Sequence, residues 1–158
     1  MGTSIGAATD WLVANFTTAV ATANPAAVVA DNEPTKQAPA YVSVGRTLPQ
    51  DANGVAGSQV PLVMGLNKRE EEYAIPCFAQ ATAPGPGQKA ARDAAILLFD
   101  TCAHVVAADP TLGGVLLDGR YAWIDNIRMV QTDTSREPGA LQVATIAFDV
   151  HCRNHYVP

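Results

Sequence analysis

The chain has 158 residues, which suits a single domain that buries roughly 70% of its unfolded surface. Hydrophobic residues make up 48% and charged residues only 16%, against about 25% in an ordinary soluble domain, and the formal net charge is −5. The acidic balance argues against a basic nucleic-acid-binding footprint, and the shortage of charge on an alanine-rich chain points to surfaces covered by neighbours.

Thr3 or Ser4 is placed to cap a first helix, in which Ile5, Ala8, Leu12, Phe16, Ala19 and Ala23 recur at three- and four-residue spacing. Asn24-Pro25 ends it, because the residue before a proline avoids the α region. Trp11 sits off that stripe beside Asp10, Asn15 and Thr18; it is either an exposed interface anchor or the flank of a broad core stripe. Residues 26–30 and 41–44 read as short strands around a polar stretch at 31–36. From Gly45 to Asn67 no long periodic segment appears, which a compact domain seldom tolerates without a purpose. Within it Val60, Leu62 and Met64 form an apolar run suited to a hairpin arm or to docking on a neighbouring subunit. This loop is the expected place for subunit contacts, and removal of residues 50–60 is expected to spare the fold.

Residues 69–82 alternate Tyr73, Ile75, Cys77 and Ala79 against Glu72, Ala74, Pro76 and Gln80, the mark of a strand with one buried face. Pro76 cannot donate to a ladder, so an edge position or a bulge is expected there. Arg69, Glu70, Glu71 and Glu72 open this strand, and consecutive strand residues point to opposite faces. The three carboxylates therefore do not converge, and the run reads as a solvated or intersubunit charge patch. A second helix over 88–108 buries Ala91, Ala95, Leu98, Cys102 and Val105, then stops at Asp109-Pro110 before a Gly113-Gly114 turn. Residues 121–131 and 140–153 are the longest strand candidates and pair as a hairpin through the polar 132–139 turn, which contains Arg136. In the last strand Ile146, Phe148 and Val150 share a face opposite Thr145, Asp149, His151 and Arg153. The expected fold is of the α/β (α+β) class: a central mixed or antiparallel sheet with the two main helices against one side.

No GxSxG, HExxH, P-loop or GxGxxG motif is present. His151 and His155 lie four apart on a strand, about 13 Å from each other at roughly 3.3 Å per residue, and His104 falls on a helix. No catalytic, cofactor-binding or metal-ligating set emerges, and no cofactor is expected. Cys77, Cys102 and Cys152 form no CxxC pair; Cys77 and Cys102 fall on apolar positions and read as free buried thiols, and the set fits a protein folded in a reducing cytosol. Neither a signal peptide nor an apolar run of membrane-spanning length is visible, so a soluble protein is expected.

An acidic strand start (Arg69-Glu-Glu-Glu-Tyr-Ala-Ile-Pro-Cys-Phe-Ala79), a Gly/Pro break (Ala83-Pro-Gly-Pro-Gly87), a helix and Asp109-Pro-Thr-Leu-Gly-Gly114 follow in that order. The arrangement resembles the tail terminator proteins of long-tailed bacteriophages, particularly those infecting actinobacteria. The resemblance spans most of the chain. It implies a homohexameric ring at the head-tail junction of the virion, assembled in the host cytoplasm and without enzymatic activity. Its implied partners are the last ring of major tail tube subunits on one face and a head-completion or stopper protein on the other, with DNA passing through the lumen. Trp11, Val60, Leu62, Met64, Arg69, Glu70, Glu71, Glu72 and Arg136 are the candidate contact residues. A head-completion connector of the same particle is the nearest alternative; a small cytosolic enzyme or ligand-binding domain is a more distant one.

Overall fold

The chain runs α1 (Ile5–Ala23), β1 (Val28–Asp31), β2 (Ala40–Val44), β3 (Ala56–Pro61), β4 (Arg69–Pro84), α2 (Lys89–Ala108), β5 (Ala122–Asp133) and β6 (Leu141–Tyr156). These elements come from a computed structural model that describes residues 3–31, 38–45, 56–61, 69–85, 87–133 and 141–156. Both helices form where apolar residues return every three to four positions. The α1 face buries Ala8, Leu12, Phe16 and Val20, and the α2 face Ala91, Ala95, Leu98, Cys102 and Val106. Two expected stripe positions shift by one residue. Val20 continues the i, i+4 row of α1 in place of Ala19, which is partly buried, and Ala23 is exposed; Val106 likewise replaces Val105.

The sheet is mixed, as expected. Its strands run β1-β2-β4-β6-β5, with β3 joining β4 off that path. Among the described residues only β1 and β2 pair in parallel; the other pairs are antiparallel. The spine is β4 with β6, in unbroken register from Arg69 opposite Tyr156 to Pro84 opposite Leu141. Both helices cover one face of this sheet. There Val42, Val44, Tyr73, Ile75, Cys77, Ala79, Ile146, Phe148, Val150 and Cys152 meet Leu12, Phe16, Leu98 and Cys102 in one core. The expected hairpin of β5 and β6 is present, with a register shift between Asp125 and Arg128 where Asn126 takes a φ of 53°.

Pro76 corrects the expectation of an edge or a bulge, because β4 is the central strand. On one side β4 meets β6 throughout; on the other it meets β3 over 69–74 and β2 over 77–81, which leaves Pro76 between the two partners. Its carbonyl accepts from Gly45 N–H at 2.7 Å on that same side. In an antiparallel strand the N and O of one residue point the same way, so the missing donor falls in the gap and no ladder bond is lost.

Of the two forms expected for the 45–67 stretch, a loop or a hairpin, it takes the second, with the arm at Ala56–Pro61 and not at 60–64. Ala56–Pro61 pairs with Arg69–Ala74 of β4, which fixes a segment whose Gly, Ser, Gln and Pro carry little β propensity of their own. Deleting residues 50–60 would remove all of β3 except Pro61, so the deletion takes a paired strand from the sheet and is no longer the removal of a loop. Val60 lies on β3 by its backbone, whereas Leu62, Met64 and Arg136 lie outside the described residues.

Candidate functional site

The acidic run at the start of β4 divides across the sheet, and its two sides differ in environment. Glu71 shares the inward parity of Tyr73 and Ile75 and is only 3% exposed. It is therefore no part of a solvated patch. Its carboxylate accepts from the Thr3 hydroxyl, from Ser4 N–H at 3.1 Å and from Ser4 Oγ at 2.9 Å, and Ser4 Oγ lies 2.8 Å from Tyr73 Oη. Ser4 is the N-cap by position but makes no side-chain cap bond of its own. The Ser4 N–H and the positive dipole end of α1 are met instead by a carboxylate from a strand, which fastens helix to sheet.

Glu70 and Glu72 face the opposite, helix-free side. Glu70 Oε1 lies 2.8 Å from Arg153 Nε and 3.3 Å from Arg120 Nη2, while Glu72 Oε2 lies 3.9 Å from Arg153 Nη2. Arg120 Nη2 also donates to His155 Nε2 at 3.2 Å. Beside them His151 stacks on Trp123 with centroids 5.3 Å apart, and Trp123 packs against Tyr121 at 5.5 Å. Two carboxylates against two guanidiniums leave this cluster close to neutral. Arg153 is half-exposed, so solvent screens its pairs and they add little stability. Arg69 is fixed by its backbone at the first position of β4.

The Asp109–Gly114 turn is held by its own side chains. Asp109 accepts from Thr111 N–H at 3.2 Å, Thr111 Oγ1 at 2.7 Å and Gly113 N–H at 2.9 Å, and Thr111 Oγ1 accepts from Gly114 N–H at 3.3 Å. Leu112, Gly113 and Gly114 all take positive φ, and Leu112 is fully buried. Trp11 is half-buried, with its indole against Gly113, and so is not the exposed anchor of one of its two expected roles.

The Thr111 hydroxyl, aided by the Gly113 and Thr111 N–H groups, holds the Asp109 carboxyl below the ordinary carboxylate range. A carboxyl depressed on folding contributes stability above its unfolded pKa, about 3.9, and loses that contribution as pH falls through the folded value. Asp109→Asn is therefore expected to melt below the native chain at neutral pH, with the gap closing as pH drops under about 4. A constant gap between the two melting curves across pH 2 to 7 would count against this clamp.

Little in the described residues is poised for covalent chemistry. Burial pushes the thiols of Cys102 and Cys152 up to about 12 and that of Cys77 well above its ordinary value, so all three stay protonated and unreactive at neutral pH. Among the described residues no group of three or more His, Cys, Asp or Glu side chains is placed to hold a metal ion. No helix among them is long and apolar enough to cross a membrane.

The described surface does carry an open edge. β5 ends the sheet, and on or beside it Ile127 is 58% exposed, Val130 46% and Met129 44%, with Tyr121 and Leu141 also exposed. Sequence reasoning assigned this segment to a hairpin but not to a surface. The signal was there in Ile127, Met129 and Val130, whose apolar side chains do not fit a strand with one wet face. The chain matches no protein-family model and no curated protein sequence.

Proposed function

We propose that this chain is a structural virion protein, a tail-terminator-like subunit whose homohexameric ring caps the tail tube of a long-tailed phage and joins it to the head. The observation that carries the assembly reading is the β5 edge. A chain with 16% charged residues that leaves Ile127, Met129 and Val130 in water is suited to being covered by protein. The choice of assembly rests on the Asp109-Pro-Thr-Leu-Gly-Gly114 turn and the acidic strand start, which carry the family resemblance.

On this reading the protein acts by capping. A terminator binds the last ring of tube subunits more strongly than it binds a second terminator ring, or it would polymerise. The ring therefore needs two non-equivalent faces, one toward the tube and one toward the head-completion protein. DNA passes through the bore without sequence-specific contacts, in keeping with the net charge of −5.

Gene deletion in the phage tests this. Tails of abnormal length with heads left unjoined are the expected result. Tails of normal length beside unjoined heads would favour the connector alternative, and normal tails joined normally to heads would remove both.

A further inference from the structure

Alternate residues of a strand direct their N–H and C=O groups to opposite sides, so the ladder shows which backbone groups of β5 are unpaired. Tyr121 C=O accepts from Arg153 N–H at 3.3 Å, so on β6 Arg153, His151, Asp149, Ala147 and Thr145 face β5. Past the register shift Arg128, Val130 and Thr132 lie opposite Ala147, Thr145 and Val143 and take up those bonds. The N–H and C=O groups of Met129 and Gln131 thus point to the open side, where no strand pairs them among the described residues. Met129 lies opposite Ile146 on the helix-covered face and Val130 opposite Thr145 on the other, so apolar side chains flank the edge on both faces.

Among the described residues the other end of the sheet is also open. β1 pairs only with β2 among the described residues, and its surroundings are small: Pro25, Ala26, Ala27, Val28, Val29 and Ala30. Following the pairings across the sheet, β1 runs with β2 and β6 and opposite to β4 and β5. A second copy set beside the first in the same sheet would therefore bring its β1 antiparallel to β5, with the helices of both copies on one side. Large apolar side chains on one edge would meet small ones on the other. Pairing β5 with a second β5 is also antiparallel, but it closes at two copies and leaves each β1 open. Head-to-tail pairing covers both edges and, when each step adds a rotation, closes a ring.

We propose that the β5 edge of one copy pairs with the β1 edge of another, so that the sheet continues from subunit to subunit. This deepens the assembly reading above by naming the surface and its partner, and it depends on that reading only for closure into a ring.

The test joins the two edges chemically. Val130→Cys and Ala30→Cys place thiols on the helix-free side of β5 and β1, while the three native thiols are buried and wild-type protein reports any background. With a short flexible bismaleimide, the double variant V130C/A30C should give a ladder of covalently joined chains, and each single variant should remain one chain long. Gln131→Pro, which removes an outward N–H, should abolish the ladder while leaving the circular dichroism spectrum unchanged. Dimers from V130C alone would overturn the head-to-tail arrangement in favour of a two-fold one. Absence of a ladder from the double variant at its highest soluble concentration would overturn edge pairing altogether. A ladder alongside normal phage tails in the gene deletion would leave the pairing standing and remove the terminator reading; the reverse pattern would do the opposite.

Discussion

Glu71→Ala is expected to cost about 3 kcal/mol of folding stability, a loss of roughly 10 °C in melting temperature for a domain of this size. The buried carboxylate accepts from Ser4 N–H, Ser4 Oγ and the Thr3 hydroxyl, and hydrogen bonds to a charged group contribute about 1.5–3 kcal/mol each. The sum is not realised, because alanine also relieves the cost of desolvating the carboxylate, and because Ser4 Oγ keeps Tyr73 as a partner. What alanine does lose is the match between a negative charge and the positive end of α1, together with the acceptor for Ser4 N–H. Glu71→Gln should fall between the two, since it keeps the shape but directs an NH2 at groups that mostly donate. Urea unfolding followed by circular dichroism measures both variants. Stability of the alanine variant within about 0.5 kcal/mol of native would show that the carboxylate does not fasten the helix.

That lock was encoded in the sequence but masked by its charge. The alternation of Tyr73, Ile75, Cys77 and Ala79 defines the inward face of β4, and two places back along the same parity stands Glu71. Parity says which way a side chain points; it does not say that a helix N-terminus waits there with unpaired donors. The helices and the β5–β6 hairpin were legible because their periodicity spans many residues and averages out single exceptions. β3 was not, since Gly57 and Pro61 break any local pattern and pairing to β4 alone holds the segment extended. Pro76 misled for a related reason: its cost depends on which side its missing donor faces, and only the positions of β2 and β3 decide that. The β5 edge was half legible, in that its apolar residues were visible while its place at the end of the sheet follows from strand order.

Gly113→Ala is expected to destabilise the fold by about 2–4 kcal/mol, well beyond the roughly 1 kcal/mol expected for Gly114→Ala. Both glycines sit in the left-handed region, at φ of 68° and 83°, so each alanine meets backbone strain. They differ in surroundings. A Cβ on Gly113 would lie 2.6 Å from Trp11 Nε1 and 2.9 Å from its Cδ1, whereas one on Gly114 meets nothing within 4 Å. The turn has little freedom to move aside, because Leu112 is fully buried and Asp109 grips both Thr111 and Gly113. The indole must give way instead, and it packs against the core from α1. Combining each glycine change with Trp11→Ala isolates that contact: the excess cost at Gly113 should disappear in the Trp11→Ala background, and the smaller cost at Gly114 should persist. Equal losses at the two glycines with Trp11 in place would mean that the indole does not constrain the turn. The motif that carries the family resemblance would then be fixed by Asp109 and its backbone alone.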